Sequence, residues 1–240
     1  AHGMDNAVLR VINKLKEKDM YDNSVIIFLS DNGGVPFQAS NSPFKGQKST
    51  LLQGGVRVAS FVHAPGRLKQ TGISKSGYIH AVDWFCTILS LAGATTNTND
   101  INNNNDKRDE KTIDGMDMWS FLSSPSSSPR QEILLNIDPL CLLTLTDPIP
   151  VTLGPHIAYI FEKWKYFEGD PGLTFRGNCF LGDGTEMPVE DSEADWCNFP
   201  LNEDGVALID LANDPLETKN VADKHPGVVT LIKEKIQEYK

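Results

Sequence analysis

The residues of this chain most suited by type to hold a hard cation are Asp31 and Asn32. They follow a continuous apolar run, Val25-Ile26-Ile27-Phe28-Leu29, and open the turn Ser30-Asp31-Asn32-Gly33-Gly34. In an open α/β sheet, ligands bind beyond the carboxyl ends of strands. A carboxylate beside an amide carbonyl there offers two oxygen donors of the kind Ca²⁺ or Mg²⁺ prefers. Gly33 and Gly34 allow a sharp turn or a close approach of backbone to a ligand. The same residues also read as an Asx turn closing a strand. Downstream, Pro43-Phe44-Lys45-Gly46-Gln47-Lys48 and Gln53-Gly54-Gly55-Val56-Arg57 bring three cations close to that turn. An ammonium beside a metal suits a tetrahedral oxyanion, whose charge it can hold as a leaving oxygen develops. Lys45 and Lys48 read equally as solvated surface lysines.

Positioning these groups requires a scaffold, and the pattern supplies one. Met4, Val8, Val11, Ile12 and Leu15 recur on one face of an opening helix. The 25–29 run then reads as a strand buried on both faces of a mostly parallel sheet. A short helical piece is expected at Ser49–Leu52, a second strand at 56–64, and a helix from about Tyr78 to Ala92. That helix would turn Ile79, Val82, Phe85 and Leu89 inward and end on Gly93. Residues 94–112 form an Asn-rich polar tract expected as a surface insertion. A short helical segment at 114–122 and a Ser/Pro connector follow. Beyond Gln131, short apolar pieces (EILLNI, HIAYIFE, WKYFEG, GVALIDL) predict antiparallel strands, and an amphipathic helix starts near Pro226. The fold class is therefore α/β, with part of a mostly parallel sheet domain over 1–125, a connector over 126–155, and a small antiparallel subdomain with a terminal helix over 156–240.

Composition narrows the function. The 240 residues are 40% apolar, enough for a sizeable core, and carry 22 basic against 32 acidic side chains for a net charge of −10. That balance argues against nucleic acid as a partner. No apolar run approaches the roughly 20 residues of a membrane span. The charge is uneven: residues 1–120 hold 13 basic and 12 acidic side chains, so the excess of acid lies beyond them. Eight acids fall between Asp183 and Asp204 with no Lys or Arg among them, either a solvated loop or a flap that attracts cations. Cys86, Cys141, Cys179 and Cys197 form no CxxC pair and no zinc-ligand spacing. Cys86, in an apolar helix, is expected as a buried free thiol.

The ordered set Asp31-Asn32-Gly33-Gly34, Gly46-Gln47-Lys48 and Gln53-Gly54-Gly55-Val56-Arg57 resembles the second half of the type I sulfatase signature, closest to the arylsulfatase B-like (N-acetylgalactosamine-4-sulfatase-like) group. Further stretches resemble the family in order and spacing. They are MDNAVLRVINKL at the start, His80-Ala81-Val82-Asp83-Trp84, Asp114 to Trp119, Asn136 to Pro139, Trp164-Lys165, and Leu208 through Glu217. The resemblance implies an alkaline phosphatase-like fold and a lysosomal or secreted enzyme that hydrolyses sulfate esters of glycosaminoglycans or aryl substrates. It implies that Asp31 and Asn32 bind one Ca²⁺ ion and that Lys48 contacts the sulfate; Lys45 has no counterpart. It also implies a disulfide, Cys141–Cys179, with Cys179–Cys197 as the rival pairing. His63 and His80 lie near the motifs but read as packed or surface histidines.

Three departures matter. The family has Glu where this chain has Gln53, which removes the charge such a Glu would offer Arg57. The family nucleophile is a formylglycine made from Cys in Cys-x-Pro-Ser-Arg, yet the four cysteines are followed by Thr87-Ile88, Leu142-Leu143, Phe180-Leu181 and Asn198-Phe199. The family's paired aspartates that complete the calcium shell also lack a match. The chain opens inside a helix and reads as the C-terminal half of a sulfatase, inactive alone. The alternatives are a phosphatase or phosphodiesterase of the alkaline phosphatase superfamily, and a non-catalytic truncated paralogue.

Overall fold

The computed structural model describes residues 2–35, 39–94, 113–138, 144–145, 151–152, 156–169, 171 and 201–239. The three cysteines other than Cys86, most of the Asn-rich tract and nearly all of the acidic 183–204 stretch lie outside the described residues, as do the expectations attached to them. The chain divides into two compact units, Ala1–Leu29 with Ser60–Arg130, and Ser30–Ala59 with Gln131–Lys240. Among the described residues no helix is long and apolar enough to cross a membrane.

In the first unit, α1 (His2–Glu17) is the expected amphipathic helix. Asp19, at φ 55°, ends it: Met20 N–H donates to Leu15 O and Asp19 N–H to Lys16 O, the paired bonds of a left-handed helix stop. Val8, Ile12 and Leu15 are half-buried, whereas Met4 and Val11 are exposed. Strand β1 (Ile26–Leu29) pairs antiparallel with β2 (Ser60–His63), Ile26 opposite His63 and Leu29 opposite Ser60. The expectation of a strand buried on both faces is not met here. Among the described residues the pair has no third strand, so Leu29 and Phe61 are exposed and Phe28 stacks on Phe61 at 5.2 Å.

Helix α3 (Asp83–Leu91) starts five residues later than its apolar pattern predicts, and its inward face is different. Asp83, Cys86 and Thr87 are buried while Phe85, Ile88 and Val82 are exposed. The cause is an ionic cluster at the helix start. The fully buried Asp83 carboxylate accepts from His80 N–H at 2.7 Å, Met116 N–H at 2.9 Å, and Arg130 Nε and Nη2 at 2.7 and 2.5 Å. Arg130 Nη2 also donates to Asp114 O at 2.8 Å. A buried carboxylate must be paired and hydrogen-bonded, and satisfying Asp83 holds residues before the helix out of helical register. Gly93, at φ +77°, closes α3 as expected, and Cys86 is a buried free thiol. The next helix, α4 (Trp119–Ser123), is shorter than the segment expected.

The second unit contains α2 (Gln53–Val56), placed just after the 49–52 stretch expected to be helical. Ser49 sits at φ 72°, which no helix interior accommodates, so the turn forms later. Its main body is the expected antiparallel sheet of four strands in the order β3 (Glu132–Asp138), β6 (His156–Phe161), β7 (Trp164–Gly169) and β8 (Val206–Asp210). Two short strands, β4 (Thr144–Leu145) and β5 (Val151–Thr152), pair separately. Strands β3, β4 and β5 all fall within residues 126–155. The period of two along β8 loads both faces. Val206 and Leu208 pack with Tyr159, Tyr166 and Ile232 and Ile236 of α5 (Pro226–Gln237), and Ala207 and Ile209 pack with Ala158, Phe167 and Leu52. Leu52, immediately before α2, is thus seated in the sheet's second core.

Candidate functional site

Asp31 and Asn32 begin the second unit, directly after β1 in sequence. Asp31 is exposed and Asn32 half-buried. Asn32 Nδ2 donates to Asp31 Oδ1 at 2.5 Å, and this bond is the main reason the Asp31 carboxyl lies below the usual carboxylate range; the positive charge of Lys48 lowers it further. Asp31 is therefore ionised at neutral pH, and Asn32, with its amide nitrogen engaged, leaves its carbonyl oxygen for another partner. These are hard oxygen donors, right in kind for Ca²⁺, but two residues cannot fill a shell of 6–8 ligands. Among the described residues no group of three or more His, Cys, Asp or Glu could hold a metal ion. The pair fits a calcium site as part of its shell.

Backbone contacts fix this turn against the glycine-rich segment that follows it. Gly33 N–H donates to Gly55 O at 2.9 Å, and Lys48 N–H donates to Gly34 O at 3.0 Å. Gly54 N–H donates to Lys45 O at 2.6 Å. No side chain fits at these crossings: a Cβ on Gly33 would lie 1.8 Å from Gly54 O, and one on Gly54 would lie 2.3 Å from Gly46 O. The structure therefore brings Asp31, Asn32 and Lys48 together in one loop system. Lys48 is exposed, as a group that meets a ligand must be.

Asn41 plays a part that sequence reasoning missed. Its Oδ1 accepts from Gly34 N–H at 2.6 Å, and its Nδ2 donates to Gly34 O and Gly46 O, each at 3.2 Å. One amide side chain thus ties the end of the Asp31 turn to the turn before Lys48. The signal available was its Asn-Ser-Pro context, which marks a turn but not its partner. Glu217 was missed as well, although it closes the Leu208 to Glu217 stretch that resembles the family. It is fully buried, accepts from Gln53 N–H at 2.6 Å and pairs with the fully buried Lys165 at 2.6 Å. A lone Lys inside an apolar strand was the clue, since a buried ammonium needs a partner. Burial pulls the Lys165 ammonium down and Glu217 opposes that pull.

The remaining sequence candidates have other partners. Arg57 lays its guanidinium over the Phe44 ring, 4.6 Å from the centroid, and Gln53 is buried. His63 and His80 belong to the first unit: His63 Nε2 meets Tyr21 OH at 2.7 Å, and burial together with the Arg130 charge holds the His80 imidazole below its ordinary value. Both are packed histidines, as expected.

Comparison with known proteins fits this geometry. Residues 1–94 match the Sulfatase family model. The chain is 29% identical to arylsulfatase J of Mus musculus over 247 residues, covering 98% of this chain and 38% of that protein. Among solved structures, Ps i-CgsB in complex with k-i-k-neocarrahexaose superposes with a TM-score of 0.65 at 21% identity, covering 98% of this chain and 40% of the other. A second, solved in complex with its substrate D-glucosamine-2-N,6-O-disulfate, gives 0.57 at 16% identity over 98% and 38%. The chain thus spans well under half the length of these relatives, and the shared architecture is the α/β, alkaline phosphatase-like fold. With that fold, the ordered motifs and a family match over the segment that carries Asp31, Asn32 and Lys48, the chain belongs to the sulfatase family.

Proposed function

We propose that the whole protein carrying this chain hydrolyses sulfate esters, that its substrate is a sulfated carbohydrate, and that this chain supplies one wall of the active site. The observation that carries the reading is the single loop system in which the Asp31–Asn32 pair and Lys48 are tied through Gly33, Gly34 and Gly55. Asp31 and Asn32 would hold a Ca²⁺ ion together with ligands from outside this chain. Bound there, the ion would supply positive charge to the sulfate oxygens. Lys48 donates to the sulfate and steadies charge on the leaving oxygen as the S–O bond breaks. The nucleophile, a formylglycine hydrate, comes from outside these 240 residues, because none of the four cysteines has the Cys-x-Pro-Ser-Arg context.

The carbohydrate substrate is supported by the k-i-k-neocarrahexaose and the D-glucosamine-2-N,6-O-disulfate in complex with the two structural relatives. The signature points within that class to a sulfated glycosaminoglycan, with an aryl sulfate as the other substrate it suits, and a lysosomal or secreted location goes with it. The family match weighs against a phosphatase. The test is Lys48→Ala in the whole protein. We expect kcat/KM on a sulfate ester to fall about 100- to 1,000-fold, the range for loss of one charge-stabilising donor. Unchanged turnover removes Lys48 from the mechanism, and absence of sulfate-ester hydrolysis by the wild type overturns the function.

A further inference from the structure

We propose that Glu217, held by Lys165, is a positioning residue for the sulfate site: its carboxylate fixes the Gln53–Val56 turn, and through it the Asp31-Asn32 turn and Lys48. The catalytic part of this statement rests on the sulfatase reading; the positioning part does not.

Both oxygens of Glu217 are committed. Oε1 accepts from Lys165 Nζ and Oε2 from Gln53 N–H, each at 2.6 Å. Lys165 and Glu217 are fully buried, and Gln53 is nearly so. Lys165 stands in mid-strand in β7, paired across the sheet with Ile160 and Ile209, so its ammonium is anchored by the most regular element of the unit. Glu217 is anchored on its own side. It adopts φ 57°, its N–H donates to Asp214 O, and Asp214 Oδ2 accepts from Thr218 N–H and Lys219 N–H at 2.8 Å.

From Gln53 the restraint passes on through backbone alone. Gly54 N–H holds Lys45 O, Gly55 O receives Gly33 N–H, and Gly34 O receives Lys48 N–H. At Gly33, Gly54 and Gly55 a Cβ would lie within 2.6 Å of a carbonyl oxygen. At these three glycine crossings backbone meets backbone, so no rotamer change there absorbs a displacement, and a shift of Gln53 moves the site turn with it. A buried ion pair serving the fold alone would need one carboxylate oxygen for the ammonium. Here the second oxygen closes the first N–H of a turn whose glycines make the site contacts.

The experiment compares two neutral replacements in the whole protein. Lys165→Met with Glu217→Gln removes the buried charges but keeps an oxygen for Gln53 N–H. Lys165→Met with Glu217→Leu removes the acceptor as well. Amide hydrogen exchange is read at Gly33, Lys48 and Gly54, alongside the amides of β6–β8. We expect the Gln pair to keep wild-type protection at the three site amides. We expect the Leu pair to exchange there at least about 10-fold faster with β6–β8 unchanged, as local opening requires. Activity should follow, with kcat down about 100-fold in the Leu pair, KM moved far less, and both near wild type in the Gln pair.

Glu217→Asp is the second variant, since it keeps both charges but withdraws the acceptor by one carbon–carbon bond, about 1.5 Å. If the Leu pair does not fold, faster exchange at the three amides in Glu217→Asp but not in the Gln pair supports the proposal. Equal protection at these amides with and without the acceptor overturns it. A wild type that hydrolyses no sulfate ester refutes the sulfatase reading, while the exchange comparison still decides the positioning.

Discussion

Substituting Gly33 by Ala adds one methyl group beside the turn that carries Asp31 and Asn32. Gly33 does not have a left-handed backbone, so alanine meets no torsional penalty there, and the effect isolates space. The new Cβ would lie 1.8 Å from Gly54 O, 2.8 Å from Gly54 C and 2.9 Å from Gly55 Cα. All three are backbone atoms, so no side chain can swing aside. The Gly54 carbonyl must retreat from 1.8 to at least 3.0 Å, a movement of about 1.2 Å. That displacement stretches the Gly33 N–H bond to Gly55 O, now 2.9 Å, beyond hydrogen-bonding reach. Inserting a methyl into packed surroundings costs about 1–3 kcal/mol, which urea unfolding measures. A misplacement of about 1 Å in a catalytic array costs about 100-fold, so kcat/KM on a sulfate ester should fall by roughly that factor. Gly227→Ala is the control, because nothing lies within 4 Å of its added Cβ in α5. It should be neutral or stabilise by about 0.4–1 kcal/mol. If Gly33→Ala matches Gly227→Ala in unfolding and keeps wild-type kcat/KM, the close-packed glycine crossing does not govern the site.

Two further outcomes follow from the charged groups. Asp83→Ala leaves Arg130 buried without its carboxylate and should cost about 3–5 kcal/mol in urea unfolding; a loss under about 1 kcal/mol would show that the cluster does not organise the start of α3. Asn32→Ala removes the bond that chiefly lowers the Asp31 carboxyl, so in metal-free protein an NMR titration of Asp31 should move up toward 3.8. The sign of the linkage follows: with its folded value depressed, Asp31 contributes stability above about pH 3.8 that is lost as the pH falls through the lower folded value. An unmoved titration would mean that Asn32 does not hold the Asp31 charge.

Local chemistry was legible in the sequence wherever a residue's role depends on near neighbours. The short apolar pieces beyond Gln131 named the antiparallel strands, and the helix at Pro226 carried its own apolar stripe. Gly93 could be identified as a helix stop because the left-handed position is a local demand. The spacing of Asp31-Asn32, Lys48 and Gln53-Gly54-Gly55 pointed to one loop system, because each lies within about 25 residues of the others.

What only the tertiary structure decided are the partners of buried charges. The apolar periodicity of 78–92 predicted an inward face of Ile79, Val82, Phe85 and Leu89. Asp83 overrode it because its carboxylate meets Arg130, 47 residues away, and an ion pair out of water dictates the geometry around it. Lys165 and Glu217 are 52 residues apart, and Glu217 lies 164 residues from Gln53. No periodicity encodes such a meeting, since hydrophobic pattern reports which face is dry but not which distant group will satisfy a charge on it. Sequence alone thus put forward Asp31, Asn32 and Lys48 as the proposed metal and sulfate contacts. The fold determined what holds them still.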